Sequence, residues 1–497
     1  MNVSDFFALL KEPARARALA VQAPAEGPDY GTLIGRVDKL AESLAERGAT
    51  VVASLMDNGL EWIVLDLACL QAGVVHVPLP LFFTPGQWRE TLDAAGVNAV
   101  VGPASLQPML QAFGFEIAAH WQGHTALFRR AFARAPLPAG TAKITFTSGS
   151  TGSPKGVCLG AAEMLAVAGG LAAATQPLGI RRHFTALPLP VLLENIAGVY
   201  APLIEGAAIC VNPLKDVGLQ GSSRFDPAVF HQGLVAGRAQ SVIVLPQMLR
   251  AYAGWLGAAG IPGPDMLRLV AVGGAAVGSD LLESARTLGV PAYEGYGLSE
   301  ACSVQTLNLP GANCPGSAGR PLPHARVRVA ADGEIEVAGA LALGYLGPPA
   351  MSSAWLPTGD LGRVDEAGFL HIRGRKKNVL ITGYGRNVSP EWVELRLANQ
   401  HIIAQCVVLG EGQAALGAVI WPLGNPSDSA IQACVDQVNA GLPDYARIGA
   451  WMRARAEFSP SSGMATTNGR ARRLAVGELH ADLFSAGFRS TVDVDPS

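Results

Sequence analysis

Between Val37 and Val77 the chain changes its hydrophobic period repeatedly, and this rhythm restricts the fold more than any other feature of its 497 residues. Val37, Leu40, Ala41 and Leu44 recur at helical spacing. Val51 to Leu55 then reads as a buried strand, Leu60 to Leu70 as a second apolar-faced helix, and Val74 to Val77 as a further strand. Helices and strands that alternate in this way bury their apolar faces against one another as parallel α/β layers. The rhythm returns at Ser241 to Leu245, Leu267 to Val272 and Val290 to Tyr293, with helix-length segments between. From about residue 318 the texture changes. Val327 and Val329 face Ile335 and Val337 across Ala331, Asp332 and Gly333, and Arg363 to Ile372 repeats the hairpin pattern around Glu366 to Gly368. After the basic, glycine-containing run Arg373 to Lys377, a new set begins with the helix Glu391 to Ala398 and the strand Cys406 to Leu409.

The expected fold is therefore α/β. A large N-terminal domain, residues 1–374, has layered α/β subdomains and a β-rich subdomain over about 318–372. A small α+β C-terminal domain follows over 375–497, its tail beyond Phe484 poorly structured. Hydrophobic residues make up 49% of the chain and charged ones 15%, enough for a generous core. The longest weakly polar stretch, Met164 to Ile180, is interrupted by Gly169, Gly170, Gln176 and Pro177 and falls short of the roughly 20 apolar residues a membrane span needs. With no secretory signal at the amino terminus, the expected location is the cytoplasm. A net charge of −3 without a basic block argues against a nucleic-acid partner. The seven cysteines show neither zinc nor disulfide spacing and are expected as free, buried thiols.

The strongest local signal is the run Thr145 to Val157, in which Thr147, Ser148, Gly149, Ser150, Thr151, Gly152, Ser153 and Pro154 lead to Lys155. Glycines let backbone N–H groups approach phosphate oxygens, hydroxyls add donors and the lysine adds charge, so the composition suits a polyphosphate cradle. It is not a P-loop, because Pro154 precedes and Gly156 follows the lysine.

This run closely resembles the phosphate-loop signature of the adenylate-forming superfamily of acyl-CoA synthetases, peptide-synthetase adenylation domains and luciferases. Further motifs follow in the order the resemblance implies. Tyr296, Gly297, Leu298, Ser299 and Glu300 resemble a segment whose tyrosine stacks on adenine, whose hydroxyl meets the α-phosphate and whose glutamate helps hold Mg²⁺. Gly273, Gly274 and Ala275 resemble the adenine-side loop, and Thr358, Gly359 and Asp360 the ribose motif. Gly374, Arg375, Lys376 and Lys377 resemble a hinge in which Arg375 reaches the ribose and Lys377 is the pivot of a mobile small domain. Each motif alone has an ordinary alternative: a core aromatic, a turn residue, a helix-end cap. Their joint order over about residues 30 to 475 outweighs these. The resemblance implies an AMP-forming acid–thiol ligase that uses ATP and Mg²⁺ and passes an acyl-adenylate to CoA.

The segment Leu187 to Gly198 stands where the acyl pocket is expected, with Val191, Leu192, Glu194, Asn195 and Gly198 as candidate lining residues. Its aliphatic character favours a fatty or otherwise hydrophobic acid, and the hinge run is most like that of medium- and long-chain acyl-CoA synthetases. The stretch Ala318 to Gly362 is compact, without the insertion that marks fatty acyl-AMP ligases, so the resemblance favours CoA over the phosphopantetheine of an acyl carrier protein, although the two thiols are chemically identical. Near the end, Arg470 in Thr467, Asn468, Gly469, Arg470 stands where the family usually has a lysine, and no lysine follows Lys377. Arginine keeps the charge but is planar and forked. Arg470 is expected to support adenylation, with a solvated basic helix start beside Arg472 and Arg473 as the competing interpretation. Delivery to a carrier protein and a degenerate nucleotide-binding or regulatory protein are the two other functional readings.

Overall fold

The computed structural model describes residues 1–121, 125–131, 136–147, 155–220, 224–275, 277–347, 353–383, 386–466 and 469–484. The side chain of Thr147 is outside that set, as are residues 148–154 of the glycine-rich run and the tail beyond Phe484.

Two eight-stranded sheets dominate the large domain. The first runs in the order 344–345, 155–160, 141–147, 75–78, 51–54, 99–103, 125–129, 116–120, with the strands 51–54, 75–78 and 99–103 parallel. The second runs 21–22, 208–210, 182–184, 241–244, 269–272, 292–298, 303–307, 320–321 and is parallel through its centre. The alternation read in the sequence is realised here: helices Tyr30–Glu46 and Leu60–Ala72 separate the first strands. Asp29 caps the former by accepting from the Thr32 N–H. Gly73 in the left-handed region closes the latter.

The largest apolar cluster lies between the sheets. It takes Val52, Ala99 and Val101 from one, Val21 and Ile209 from the other, and the helix Ala161–Thr175 between them. The weakly polar stretch from Met164 is thus a packed interior helix. Gly170 is needed there, because a Cβ would overlap the His324 ring. Among the described residues no helix is long and apolar enough to cross a membrane. The seven cysteines are free; Cys314 and Cys406 are half-buried and the other five buried.

A four-stranded antiparallel sheet (325–329, 334–339, 356–364, 370–375) holds both hairpins, pairing Val327 with Val337 and Arg363 with His371. One piece of the expected β-rich region belongs elsewhere. Gly344–Tyr345 joins the first sheet beside Lys155–Gly160. The last strand runs through Arg375. Beyond it a three-stranded sheet (403–409, 416–422, 448–453) packs with helices Pro390–Ala398 and Asp428–Ala440 around a separate core of Val393, Ile420, Ile431 and Val435.

Candidate active site

The described ends of the phosphate-loop candidate belong to an antiparallel pair, the second and third strands of the first sheet. Thr141–Thr147 pairs with Lys155–Gly160, and Thr147 stands opposite Lys155, which is exposed. Ser148, Gly149, Ser150, Thr151 and Gly152 lie outside the described residues. Close packing fixes the strand after the loop: a Cβ on Gly156 would come within 2.5 Å of Leu346 Cδ1.

Four of the remaining candidates converge on one crevice. The Tyr296 hydroxyl donates to Asp360 Oδ2 at 2.7 Å, and Arg375 Nε pairs with Asp360 Oδ1 at 2.8 Å while its Nη1 donates to the Thr358 carbonyl at 3.0 Å. Thr358 Oγ1 donates to the Ile335 carbonyl and accepts from the Asp360 N–H, and Gly359 adopts φ +73°, so the ribose-motif candidate is a locked turn. Burial raises the Asp360 carboxyl above its usual value against the pull of Arg375.

Ser299 and Glu300 lie on a single tight turn, Ser299–Ala301. The Tyr345 hydroxyl, on the strand that borders the phosphate-loop strands, donates to Glu300 Oε1 at 3.0 Å. Cys302 and Ser303 follow with φ +55° and +108°, two consecutive non-glycine residues in left-handed backbone. Such conformations cost on the order of 1–3 kcal/mol each and persist where the surroundings over-determine them. Here Gly297 lies so close to the Ser303 carbonyl that a Cβ would overlap it. Gly273, Gly274 and Ala275 directly follow the strand Leu269–Val272, with Gly274 and Ala275 exposed.

Arg470, far along the small domain, also reaches this group. Arg470 Nη2 donates to the Gly274 carbonyl at 2.7 Å, and Gly469 just before it turns with φ +74°. Desolvation and the neighbouring Arg375 depress the Arg470 guanidinium, while Asp360, Glu300 and Tyr296 favour its charge. Its basic neighbours point elsewhere: Arg473 binds Glu394 and the Val408 carbonyl, and Arg472 donates to the Gly463 carbonyl at 3.4 Å. At the hinge candidate, Lys377 is exposed within the turn Lys376–Asn378. Its neighbour Lys376 carries the ion pairs, 2.7 Å each, to Asp332 and Glu334.

At the acyl-pocket candidate, Val191 precedes the helical segment Leu192–Asn195, in which Leu192, Glu194 and Asn195 are buried. The charged group that the aliphatic run disguised is fully partnered. Glu194 Oε1 lies 3.2 Å from His183 Nε2, and Glu194 Oε2 accepts from the Leu187 N–H. Burial raises its carboxyl. Gly198 leaves room for that pair, because a Cβ would overlap both Glu194 Oε1 and His183 Nε2. Asn195 joins a second buried cluster whose other members, Asp66, His76, Lys143 and Tyr200, sequence reasoning missed. Its signals were two charges, Asp66 inside the otherwise apolar run Trp62 to Leu70 and Lys143 inside a strand.

Comparison with known proteins shows the family. The profile of the AMP-binding enzyme family matches residues 11–346, and that of the AMP-binding enzyme C-terminal domain matches 377–489. The long-chain-fatty-acid–CoA ligase FadD15 of Mycobacterium bovis is 32% identical over 244 residues, 43% of this chain and 41% of that protein, so this chain aligns with less than half of that relative. The 2-succinylbenzoate–CoA ligase of Bacillus cytotoxicus is 26% identical over 431 residues, 81% of this chain and 84% of that one. The o-succinylbenzoate CoA synthetase (MenE) of Bacillus subtilis, solved with the acyl-adenylate OSB-AMP, shares the fold at a TM-score of 0.76 and 21% identity, covering 94% of this chain and 96% of that one. The chain belongs to the AMP-binding enzyme family.

Proposed function

We propose that the protein activates a hydrophobic, fatty-type carboxylic acid with ATP, releasing pyrophosphate, and transfers the acyl group from the resulting acyl-adenylate to the thiol of CoA. The observation that carries this reading is the convergence of Tyr296 and Arg375 on Asp360, with Arg470 close enough to feel all three. In the first half-reaction a carboxylate oxygen attacks the α-phosphorus and the bond to pyrophosphate breaks. In the second the thiolate attacks the acyl carbon and AMP leaves with the former carboxylate oxygen. Neither step needs a covalent enzyme nucleophile, so the protein's work is positioning and charge stabilisation.

Tyr296 would face the adenine and Asp360 would accept from the ribose hydroxyls, with Arg375 holding the carboxylate in place. Lys155 and Arg470 would bring positive charge to the phosphates from the two domains. Glu300 fits a magnesium ligand: it is a half-buried carboxylate with Oε1 oriented by Tyr345, a hard oxygen donor of the kind Mg²⁺ takes. Bound with the nucleotide, Mg²⁺ would neutralise phosphate charge. Between the half-reactions the small domain, residues 375–497, would turn about Lys377 against the large domain, residues 1–374, withdrawing Arg470 and admitting the thiol. The aliphatic run Leu187 to Gly198 and the fatty-acid ligase among the relatives support the acid class.

The test is a pyrophosphate-release screen over fatty, aryl and amino acids, with CoA or a holo-carrier protein as acceptor. The expected result is release with a fatty acid and thioester on CoA. Preference for an aryl or amino acid would refute the acid class, loading of the carrier alone would refute CoA, and release with no acid would refute the activity.

A further inference from the structure

A buried ion pair joins the strand that leads into the phosphate-loop candidate to the helix Leu60–Ala72, and Asn195 and Tyr200, from the segment proposed to wall the acyl side, bond to it. Lys143 Nζ pairs with Asp66 Oδ1 at 2.7 Å. It also donates to Asn195 Oδ1 and, at 3.1 Å, to the Tyr200 hydroxyl oxygen. Asn195 Nδ2 donates to Asp66 Oδ2 at 2.9 Å, and His76 Nδ1 lies 2.5 Å from Asp66 Oδ1 with its Nε2 3.0 Å from Ser54 Oγ. Asp66 and Lys143 are 1% and 2% exposed, so neither charge has water to fall back on. Burial works against the Asp66 carboxylate, but Lys143 and His76 hold its carboxyl below the usual range. Burial also depresses His76, which as a neutral ring donates from Nδ1 and accepts from Ser54.

The 192–205 segment is deformed where it meets this pair. Ile196–Tyr200 is a π-turn, closed by the Ala201 N–H on the Ile196 carbonyl. On a regular α-helix residues five apart diverge by about 140°. The wider i→i+5 turn brings Asn195 and Tyr200 toward one side, and both reach Lys143. On the strand, side chains alternate, so Lys143 and Thr145 belong to the same face. A buried pair of this kind contributes little net stability compared with a well-packed apolar pair, whereas its many directed bonds fix geometry tightly.

We propose that Asp66 and Lys143 are positioning residues that hold the acyl-side helix in register with the phosphate-loop strand, so that the acid's carboxylate meets the α-phosphate. This rests on the reading that the 192–205 segment walls the acid site. The experiment uses the full chain and two variants. The first combines Asp66→Asn with Lys143→Met and removes both charges together. The second, Asn195→Leu, removes the bonds of Asn195 to the intact pair while leaving that of Tyr200, and serves if the first does not fold.

Amide hydrogen exchange without substrate should quicken tenfold or more both in 192–205 and in 141–147. Acceleration in Asn195→Leu confined to 192–205 would overturn the proposal. Steady-state kinetics, with the fastest of decanoate, cinnamate and benzoate in the wild type, should show KM for the acid raised about tenfold and KM for ATP within twofold. Both constants unchanged in a folded variant would also overturn it. The exchange experiment needs no turnover, and the wild-type pyrophosphate screen alone decides whether the activity reading stands, so the two failures are distinguishable.

Discussion

Replacing Glu294 by glutamine should make the protein more heat-resistant in alkaline solution than the wild type. Glu294 lies on the strand Ala292–Leu298, paired with Val272, and is 9% exposed. Desolvation pushes its carboxyl from 4.5 up to about 8, with only the Val277 N–H working the other way. Because the folded value is the higher one, the stability this group contributes is fully present below about pH 4.5 and is lost as pH rises toward 8. Each pH unit in that window costs about 1.4 kcal/mol, so about 3.5 units give about 5 kcal/mol as an upper bound.

Glutamine stays neutral and keeps the hydrogen-bonding shape. Its advantage over the wild type should be absent at pH 4, widen through the window and level off above pH 8. For a chain of this size the unfolding entropy is about 1 kcal/mol/K, which makes the plateau about 5 °C in melting temperature. Thermal melts of both proteins at pH 4 to 9 provide the assay. A constant offset at every pH, or a Glu294→Gln protein that melts below the wild type at pH 9, would refute the reasoning.

Arg470→Ala should lower acid-dependent ATP–pyrophosphate exchange by about 10²–10³-fold, as expected for loss of a charge aimed at the transition state; a wild-type rate would assign Arg470 to the solvated helix start. Asp360→Ala leaves Arg375 and the Tyr296 hydroxyl without their shared acceptor, and KM for ATP should rise about 10- to 100-fold, given hydrogen bonds to a charged group of about 1.5–3 kcal/mol. An unchanged KM would remove Asp360 from the nucleotide site. Gly198→Ala forces a methyl against Glu194 and His183 and should cost about 1–3 kcal/mol in urea unfolding, while an unperturbed midpoint would mean that the helix shifts freely.

The layered α/β core was legible because the hydrophobic period reports directly on which face each element buries: the strands at 51–54 and 75–78 and the helix at 60–72 stand where the pattern put them. Both hairpins were legible from their turns, including the Val327 to Val337 pairing. Gly344–Tyr345 was not, since a two-residue strand has no period and its partner, Val157 and Cys158, lies far away in sequence. The same limit hid the Asp66–Lys143 pair. Each charge looks anomalous alone, and only the tertiary fold brings them together with Asn195. Glu194 sat in plain view as the one charge in an aliphatic run, but its partner His183 becomes adjacent only once the helix turns back. At the hinge, residue type alone could not show that Lys376 carries the ion pairs while Lys377 is exposed.

The central claim, that the acid's own oxygen attacks the α-phosphorus, is tested most directly by oxygen transfer. The protein is incubated with ATP, CoA, Mg²⁺ and decanoate labelled with ¹⁸O in both carboxylate positions, and the nucleotide product is examined by mass spectrometry. The account predicts AMP carrying a single ¹⁸O atom, formed in step with pyrophosphate and decanoyl-CoA. Unlabelled AMP, or ADP with the label in inorganic phosphate, would contradict it.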